Sequence, residues 1–338
     1  MFISFLIFCT IVLLLCPTLA WLICWIIARL CHHSMPFAPF GYTGLALVLL
    51  FCGTMLYGYW FGRKQLRVTE TSYSSPQVPS EFDGYKIVHI SDLHLSSFAD
   101  SPDFLQRIID TINAQQPDLI CFTGDFVGFG VEEAIPFTHM LRQLHAKDGI
   151  MSVLGNHDFA LYHHGLNDEQ KEEKVNQLTA YQRDTLGWQL LRNQSYLIQR
   201  DSAYLQIIGV DNTSCQGQGF QTISRGDLPA AMTLPNSLIA SSPNSLSPIK
   251  ILLSHDPSHW RAEVVPTTDI PLTLSGHTHA GQVRLFGNPI SSLMFTESEG
   301  WYHNAGQALY INTGLGCTLP VRLGVPPEIT VITLQKPS

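Results

Sequence analysis

The sequence predicts an α/β domain preceded by two transmembrane helices, and three observations lead to that prediction. Two long apolar segments occupy the first 62 residues, the remainder alternates short apolar runs with helical patterns, and five of the runs end in polar clusters. Strands that alternate with helices are typical of α/β folds with a largely parallel sheet. A chain of 338 residues is long enough for one large domain and an additional segment.

The first 68 residues are the predicted membrane anchor. Residues 1–28 contain no Asp, Glu, Lys or Arg, and neither do residues 30–62. Each stretch exceeds the roughly 20 apolar residues that cross a bilayer, which predicts helices over about 2–27 and 42–61. A cleaved secretory signal is the alternative, but the first segment lacks a basic start and is longer than a signal core of about 7–15 residues.

Basic residues beside the two apolar segments predict the orientation of the chain. Arg29 alone lies between the segments, whereas Arg63, Lys64 and Arg67 follow the second one. Because Lys and Arg are enriched in cytoplasmic loops, we expect a membrane protein with two spans and a large cytoplasmic domain. Residues 69–84 are polar and contain two prolines, which predicts a linker, and the domain then covers residues 85–338.

The charge of the large domain limits the classes of partner that it can bind. Residues 81–338 carry 26 of the 27 acidic residues but 15 of the 19 basic residues, with no basic run. Proteins bind nucleic acid through clustered Lys and Arg, so we expect no nucleic-acid partner. Five of the eight cysteines lie in or beside the membrane anchor, and the other three form no disulfide framework, as in a reducing compartment.

Three helices are predicted in the large domain. Ser101 and Pro102 are a typical helix start, and the apolar residues that follow at helical spacing are Phe104, Leu105, Ile108, Ile109 and Ile112. A second helix is expected within 131–144 and a third, more charged one over 167–186. Residues 235–248, rich in Ser, Pro and Asn, are predicted to form a surface loop.

Five apolar runs are predicted to be strands, and each ends in polar residues. In chain order they are YKIVHI followed by SDLH, DLICF by TGD, GIMSVL by GNHD, IKILL by SHD, and IPLTL by SGHTH. Sites in α/β sheets gather outside the carboxyl ends of the strands. We therefore expect the five polar clusters to share one crevice.

These clusters contain residues that together fit a metal site, namely Asp92, His94, Asp125, Asn156, His157, His255, His277 and His279. Singly, each has an ordinary explanation as a cap, a turn residue or a hydrogen-bonded histidine. Together they supply imidazole, carboxylate and amide oxygen, which are ligands of divalent transition metals. Other histidines are interpreted as ordinary structural or solvated residues: His89, His139, His145, His259 and His303.

The motifs resemble, in identity and order, those of the calcineurin-like metallophosphoesterase family. The family pattern is Asp-x-His, Gly-Asp, Gly-Asn-His-Asp/Glu, His and Gly-His-x-His, and this chain has DLH, GD, GNHD, SHD and GHTH over about residues 85–335. The resemblance implies a four-layer αββα sandwich of two mixed β-sheets with two metal ions at the sheet edge.

The resemblance also implies the ligands of each metal. Those of the first metal would be Asp92, His94 and His279, and those of the second would be Asn156, His255 and His277. Asp125 would bridge the two ions. We expect two divalent metal ions, with Mn²⁺ first and Zn²⁺ or Fe as alternatives, because all three accept nitrogen and oxygen ligands.

The same resemblance assigns the catalytic groups. His157 would stay unligated near the substrate, and Asp158 would orient it. Two metal ions about 3.5–4 Å apart lower the pKa of a shared water and hold the phosphoryl oxygens, so that metal-activated hydroxide cleaves the phosphoester. His157 would either protonate the leaving oxygen as a general acid or stabilise it as an imidazolium.

Three further positions lie outside the ligand set. Many relatives carry an Asp where this chain has Gly128, a position that binds no metal. His163, in the loop FALYHHGLNDEQKEEK, either borders the pocket or lies in solvent. Arg322 is either a second phosphate contact or an exposed solubilising residue.

The segments GHTHAGQV and GLGCTLPVRLGVPPEITVITL resemble the membrane-tethered bacterial branch of the family, which includes phosphodiesterases and UDP-diacylglucosamine pyrophosphatases. The sequence thus predicts a membrane-anchored, di-metal hydrolase of a phosphodiester or pyrophosphate, acting on a lipid-linked substrate such as UDP-diacylglucosamine. The alternatives are a metal-free scaffold on the same fold and a nuclease.

Overall fold

The computed structural model describes residues 2–234 and 248–337, and it begins with two long helices. Helices α1 (Phe2–Leu30) and α2 (Ala38–Trp60) pack against each other, and both are long and apolar enough to cross a membrane. α2 begins earlier than predicted because Pro39 lies in its first turn, where the N–H that proline lacks has no helical partner.

The described residues contain fourteen strands and five shorter helices. The strands are β1 (Arg67–Ser74), β2 (Lys86–Ile90), β3 (Leu119–Phe122), β4 (Ile150–Ser152), β5 (Gln189–Leu190), β6 (Gln194–Arg200), β7 (Ala203–Gly209), β8 (Ile249–Leu253), β9 (Leu272–Ser275), β10 (Arg284–Leu285), β11 (Asn288–Pro289), β12 (Gly300–Asn304), β13 (Gln307–Ile311) and β14 (Glu328–Gln335). The helices are α3 (Pro102–Ala114), α4 (Thr138–Leu141), α5 (Asp168–Ala180), α6 (Leu228–Met232) and α7 (Val265–Thr267). The five strands predicted from apolar runs are β2, β3, β4, β8 and β9, and all are confirmed.

Twelve strands form two six-stranded mixed sheets. The first has the order β1-β14-β2-β3-β4-β5, in which the β14–β2 pair is antiparallel and the other pairs are parallel. The second has the order β12-β13-β9-β8-β7-β6, with antiparallel pairs at both edges. β10 and β11 form a separate two-stranded hairpin.

The two sheets pack face to face, and helices cover their outer faces. In β2, Ile87 lies in the core between the sheets, whereas Val88 lies in the outer core that contains the apolar stripe of α3. In β8, Ile251 lies between the sheets, whereas Leu252 joins Trp260 on the other outer face. Successive strand side chains point to opposite faces, so each strand supplies two cores. The predicted four-layer αββα sandwich is confirmed.

The predicted linker over 69–84 is wrong for residues 69–74. These belong to β1, which pairs with β14 along all eight residues, so the sandwich begins a few residues after α2. β1 is an edge strand, and an edge strand tolerates polar side chains on its exposed positions. Its residues with high strand propensity are Val68, Thr69, Thr71 and Tyr73.

The helix predictions have mixed outcomes. α3 confirms the first, and α5, which begins with a capping box of Asn167 and Gln170, covers most of the third. Within 131–144 the structure has two 3₁₀ turns and the short α4 instead of one helix, because Pro136 cannot donate the hydrogen bond that a continuous helix needs. The predicted loop at 235–248 lies, up to residue 247, outside the described residues.

Candidate metal centre

Five strands from both sheets deliver their carboxyl ends to one edge of the sandwich. β2, β3 and β4 come from the first sheet, and β8 and β9 from the second. The predicted ligand residues that follow these strands and meet there are Asp92, His94, Asp125, Asn156, His255, His277 and His279. The polar clusters therefore converge as expected from the sequence, and both sheets contribute to them.

The first group of donors consists of Asp92, His94 and His279. Their side chains are buried, and one ligand atom from each lies within 4.8 Å of the others. Nε2 of His279 lies 3.2 Å from Oδ1 of Asp92 and 3.2 Å from Nε2 of His94. These are the three residues that the family resemblance assigns to the first metal.

The second group of donors surrounds His255. Nε2 of His255 lies 3.2 Å from Oδ1 of Asn156 and 3.2 Å from Nδ1 of His277. Nδ1 of His255 donates a hydrogen bond to the carbonyl oxygen of Thr123 at 2.7 Å, which fixes the orientation of the ring. A ligating histidine is typically held through its other nitrogen in this way.

Asp125 lies between the two groups. Its Oδ2 is 3.5 Å from Nε2 of His94 and 3.2 Å from Nε2 of His255. Its Oδ1 accepts a hydrogen bond from the backbone N–H of His157 at 2.9 Å. The carboxylate of Asp125 can occupy this place only because residue 155 is glycine, since a Cβ at Gly155 would collide with it. One carboxylate oxygen of Asp125 is therefore close to a donor of each group.

The backbone at the site is left-handed at five of the ligand residues: Asp92 (φ 52°), His94 (41°), Asp125 (56°), His277 (71°) and His279 (49°). Each non-glycine residue in this region costs about 1–3 kcal/mol and persists where the surrounding structure holds it. A cluster of left-handed non-glycine residues is typical of functional sites. The sequence did not predict these backbone conformations.

The donor atoms fit divalent cations. Oδ1 of Asp92 is buried and accepts no hydrogen bond from the described residues. The Nε2 atoms of His94 and His279 face each other at 3.2 Å, where at most one proton fits between them, whereas a cation would bind both lone pairs. Imidazole, carboxylate and amide oxygen, without thiolate, are suited to Mn²⁺, Zn²⁺ or Fe.

The electrostatics of the site favour a cation as well. Burial alone would raise the pKa of Asp125, but His255 and His157 hold that pKa well below its ordinary value. Burial alone would lower the pKa of His255, but Asp125 and Asp92 raise it to about 10. The negative potential that keeps a proton on His255 also attracts a metal ion, which would replace that proton.

His157 lies beside the first group of donors, with one ligand atom within 4.8 Å of those of His94 and Asp125. Its Nδ1 donates to the carbonyl oxygen of Gly128 at 3.1 Å, and its ring meets the edge of the His94 ring with centroids 4.7 Å apart. With Nδ1 engaged, Nε2 is the nitrogen that can exchange a proton with a substrate. Gly128, which stands where many relatives have an Asp, thus contributes its backbone carbonyl group to the orientation of His157.

The predicted role of Asp158 as the partner of the His157 ring is wrong. Oδ1 of Asp158 accepts from the backbone N–H groups of Phe126 and Val127, and Oδ2 accepts from that of Gly155 at 2.9 Å. Burial, and next the charge of Asp125, raise the pKa of Asp158 to about 8. Asp158 therefore joins the loops after β3 and β4, and it orients His157 only through the backbone.

Both sequence interpretations of Arg322 are wrong. The side chain is fully buried, and its guanidinium donates to the carbonyl oxygens of Thr313, Gly314, Gly316 and Val325. It is neither exposed nor directed to a phosphate. His163, the other proposed substrate contact, is half-buried and packs on Phe129 with ring centroids 6.3 Å apart, outside the two groups of donors.

Tyr162 is a site residue that sequence reasoning missed. Its hydroxyl accepts a hydrogen bond from Nδ2 of Asn156 at 3.0 Å, and its ring lies on that of His157 with centroids 4.3 Å apart. About a third of the surface of Tyr162 is exposed, at 36%. The sequence signal that could have identified Tyr162 is its position four residues after GNHD, in the loop that also contains His163.

Known proteins resemble this chain over most of its length. The family model for the calcineurin-like phosphoesterase matches residues 85–281, which include the Asp-x-His, Gly-Asn-His-Asp and Gly-His-x-His motifs. An uncharacterised metallophosphoesterase of Bacillus subtilis (strain 168), YkuE, is 33% identical over 295 residues, 82% of this chain and 90% of that protein.

Two further relatives carry more descriptive names. The UDP-2,3-diacylglucosamine pyrophosphatase LpxG of Chlamydia trachomatis is 29% identical over 314 residues, 79% of this chain and 88% of that protein. A transmembrane protein with metallophosphoesterase domain of Danio rerio is 25% identical over 331 residues, 91% of this chain and 66% of that protein. The latter name and the two apolar helices together indicate that this chain associates with a membrane.

Proposed function

The chain belongs to the calcineurin-like phosphoesterase family, and on that basis we propose that it cleaves a phosphodiester or pyrophosphate bond in a lipid-linked substrate, using two divalent metal ions. Family membership makes it a hydrolase of phosphoester bonds. The observation that carries the proposal is the placement of Asp125 between two buried groups of nitrogen and oxygen donors at one sheet edge.

Each group of donors would hold one metal ion, with Asp125 shared between them. Bound divalent ions supply a water of lowered pKa and compensate the charge of the phosphoryl oxygens. His157, held through Nδ1 by Gly128, would donate a proton from Nε2 to the leaving oxygen. The Tyr162 hydroxyl, beside Asn156, would donate a hydrogen bond to the substrate.

The relatives and the membrane anchor support a lipid-linked substrate. LpxG is named for UDP-2,3-diacylglucosamine, and the similarity covers 88% of that protein. We propose UDP-diacylglucosamine as the first compound to test. Both α1 and α2 would span the membrane, and Arg63, Lys64 and Arg67 would place the catalytic domain in the cytoplasm.

The test uses the full-length protein in detergent, stripped of metal and reloaded with Mn²⁺, Zn²⁺ or Fe²⁺. Wild type is expected to bind two ions and to hydrolyse bis(p-nitrophenyl) phosphate and UDP-diacylglucosamine in mixed micelles. Asp125→Asn should reduce turnover by at least about a hundredfold and lower the metal content. Asp110→Asn, at an exposed position of α3, is the matched control and should behave as wild type.

The outcomes separate the alternatives. A protein that binds no metal and cleaves neither compound would be a metal-free scaffold, and the enzymatic proposal would be abandoned. Cleavage of the aryl diester alone would retain the reaction class and reject this lipid. Cleavage of single-stranded DNA at a comparable rate would favour a nuclease, which the acidic domain disfavours.

The side of the membrane on which the catalytic domain lies is tested by a separate measurement. A carboxyl-terminal tag should be digested by protease in inverted membrane vesicles and protected in right-side-out vesicles. The opposite pattern would place the domain outside the cytoplasm.

A further inference from the structure

The β10–β11 hairpin and its neighbours form an exposed apolar surface. Phe286 at the hairpin tip is fully exposed, Leu285 beside it is 56% exposed, and Leu293, just after the hairpin, is 86% exposed. Leu319 adds a fourth large side chain, 41% exposed. We call these four residues the hairpin surface. Clustered apolar side chains of this size at the surface of a domain mark a contact with a partner or a membrane.

The hairpin surface is continuous with the end of the second apolar helix. A Cβ at Gly58 of α2 would collide with Val321 and approach Leu323, so the helix lies directly on this segment. Leu323 in turn pairs with the start of the hairpin, since its N–H donates to Gln282 and its carbonyl accepts from Arg284, each at 2.8 Å.

This arrangement places the hairpin beside the carboxyl-terminal end of α2. Adjacent paired segments lie about 5 Å apart, and two hairpin residues extend about 7 Å, so the tip lies on the order of 15 Å from α2. Tyr57, Trp60 and Phe61 are exposed at this end of the helix. Aromatic residues at a helix end are typical of the boundary between bilayer and water.

The hairpin surface also adjoins the metal centre. His279 to Gln282 form a 3₁₀ turn, and β10 begins two residues later. Ile290, which follows β11, donates its N–H to the carbonyl of Val283 at 2.9 Å, and a Cβ at Gly281 would collide with its side chain. The same short stretch of chain therefore contributes a ligand to the site and an apolar surface beside α2.

We propose that the hairpin surface inserts into the bilayer interface and holds the metal centre at the membrane, where lipid-linked phosphoesters are accessible. The occupant is the acyl-chain boundary of the bilayer. This inference rests on the proposed insertion of α2 in the membrane, and it adds a third contact beyond the two helices. Leu285 and Phe286 would contact acyl chains, while the Arg284 guanidinium stays paired with Glu299.

The test is photo-crosslinking of the full-length protein to lipid. Phe286 is replaced with the photo-reactive p-benzoylphenylalanine, and the protein is reconstituted in phosphatidylcholine vesicles whose acyl chains carry an alkyne tag. Two matched positions receive the same replacement: Leu49, exposed in α2, and Tyr196, exposed on β6 at the opposite edge of the second sheet. Lipid adducts are quantified after illumination.

We expect adducts at 286 in an amount comparable to 49 and several-fold above 196. If position 49 forms adducts but position 286 forms no more than position 196, the hairpin inference is overturned and the membrane anchor stays intact. Adducts at none of the three positions would overturn the anchor itself, and the hairpin inference with it. The measurement does not depend on catalysis, so neither result bears on the phosphoesterase activity.

Discussion

Arg322 and His279 meet at the back of the metal centre. Nη2 of Arg322 lies 3.3 Å from Nδ1 of His279, while Nε2 of the same ring lies 3.2 Å from Oδ1 of Asp92. No carboxylate among the described residues forms an ion pair with this fully buried guanidinium. Burial of an unpaired cation is costly, so four backbone carbonyl groups that satisfy it must be held in place around His279.

Arg322→Lys should therefore weaken metal binding without unfolding the protein. Lysine keeps the charge but cannot donate to carbonyl groups on several sides, so the His279 ring loses its rear support. Loss of such outer contacts typically costs about 10–100-fold in metal affinity or activity. Titration of metal into stripped protein measures this directly.

The control for this substitution is Arg183→Lys, whose guanidinium also donates to a carbonyl group, that of Leu190 on the edge strand β5. It should leave metal affinity unchanged. Equal metal affinity in Arg322→Lys and wild type would show that Arg322 supports only the fold.

His157→Gln should separate proton donation from metal binding. One nitrogen of His157 lies within 4.8 Å of donor atoms of His94 and Asp125, but each of the two groups keeps its other donors in this variant, so both metal ions should remain bound. A general acid contributes about 10²–10⁴-fold where the leaving group needs a proton. The loss should therefore be large for an alkyl phosphodiester and small for a p-nitrophenyl ester, whose leaving oxygen is stable as an anion.

The comparison of leaving groups decides the role of His157. Rates for a series of esters with increasing leaving-group pKa should diverge progressively between variant and wild type. A uniform loss across the series would assign His157 to positioning the phosphoryl group instead.

The convergence of the candidate ligands was predictable because each motif is contiguous with a strand. His277 and His279 follow the apolar run that forms β9, and the alternation of apolar side chains fixes where that strand ends. Carboxyl ends of parallel strands meet at one edge, so five short motifs sufficed to assemble the site. At these positions the apolar pattern of each run and the strand order of the sheets predict the same location for the polar residues.

The contacts that the sequence did not reveal involve distant backbone. Arg322 is satisfied by carbonyl groups, which every residue type carries, so no side-chain pattern distinguishes a buried guanidinium from an exposed one. Asp158 likewise binds backbone N–H groups of another loop. β1 pairs with β14, more than 250 residues away, and its polar composition gave no sign of that partner.

Tyr162→Phe should reduce catalytic efficiency modestly. The change removes the hydroxyl that accepts from Asn156 but keeps the ring on His157. One hydrogen bond is worth about 0.5–1.5 kcal/mol, so kcat/KM should fall by about two- to tenfold. Tyr162→Ala should cost more, because His157 also loses the ring that packs on it. Equal kinetics for Tyr162→Phe and wild type would exclude a role for the hydroxyl.

Asp118 provides a stability prediction away from the metal centre. Its carboxylate accepts from Nζ of Lys147 at 2.8 Å, the backbone N–H of Lys86 at 2.8 Å and Nη2 of Arg200 at 3.0 Å. Arg200 ends β6 of the second sheet, whereas Asp118 precedes β3 of the first, so this contact links the two sheets. Burial alone would raise the pKa of Asp118, but these three donors lower it.

Asp118→Asn should lower the free energy of unfolding at pH 7 by about 1–2 kcal/mol, since the partners are partly exposed. A folded pKa below the unfolded value of about 3.9 means that the carboxylate stabilises the fold above that pH and loses its effect as the pH falls through the folded pKa. In denaturant titrations in detergent, the difference in stability between the two proteins should therefore shrink as the pH falls below about 3.9. A difference that stays constant from pH 7 to pH 3 would show that the charge of Asp118 is not its cause.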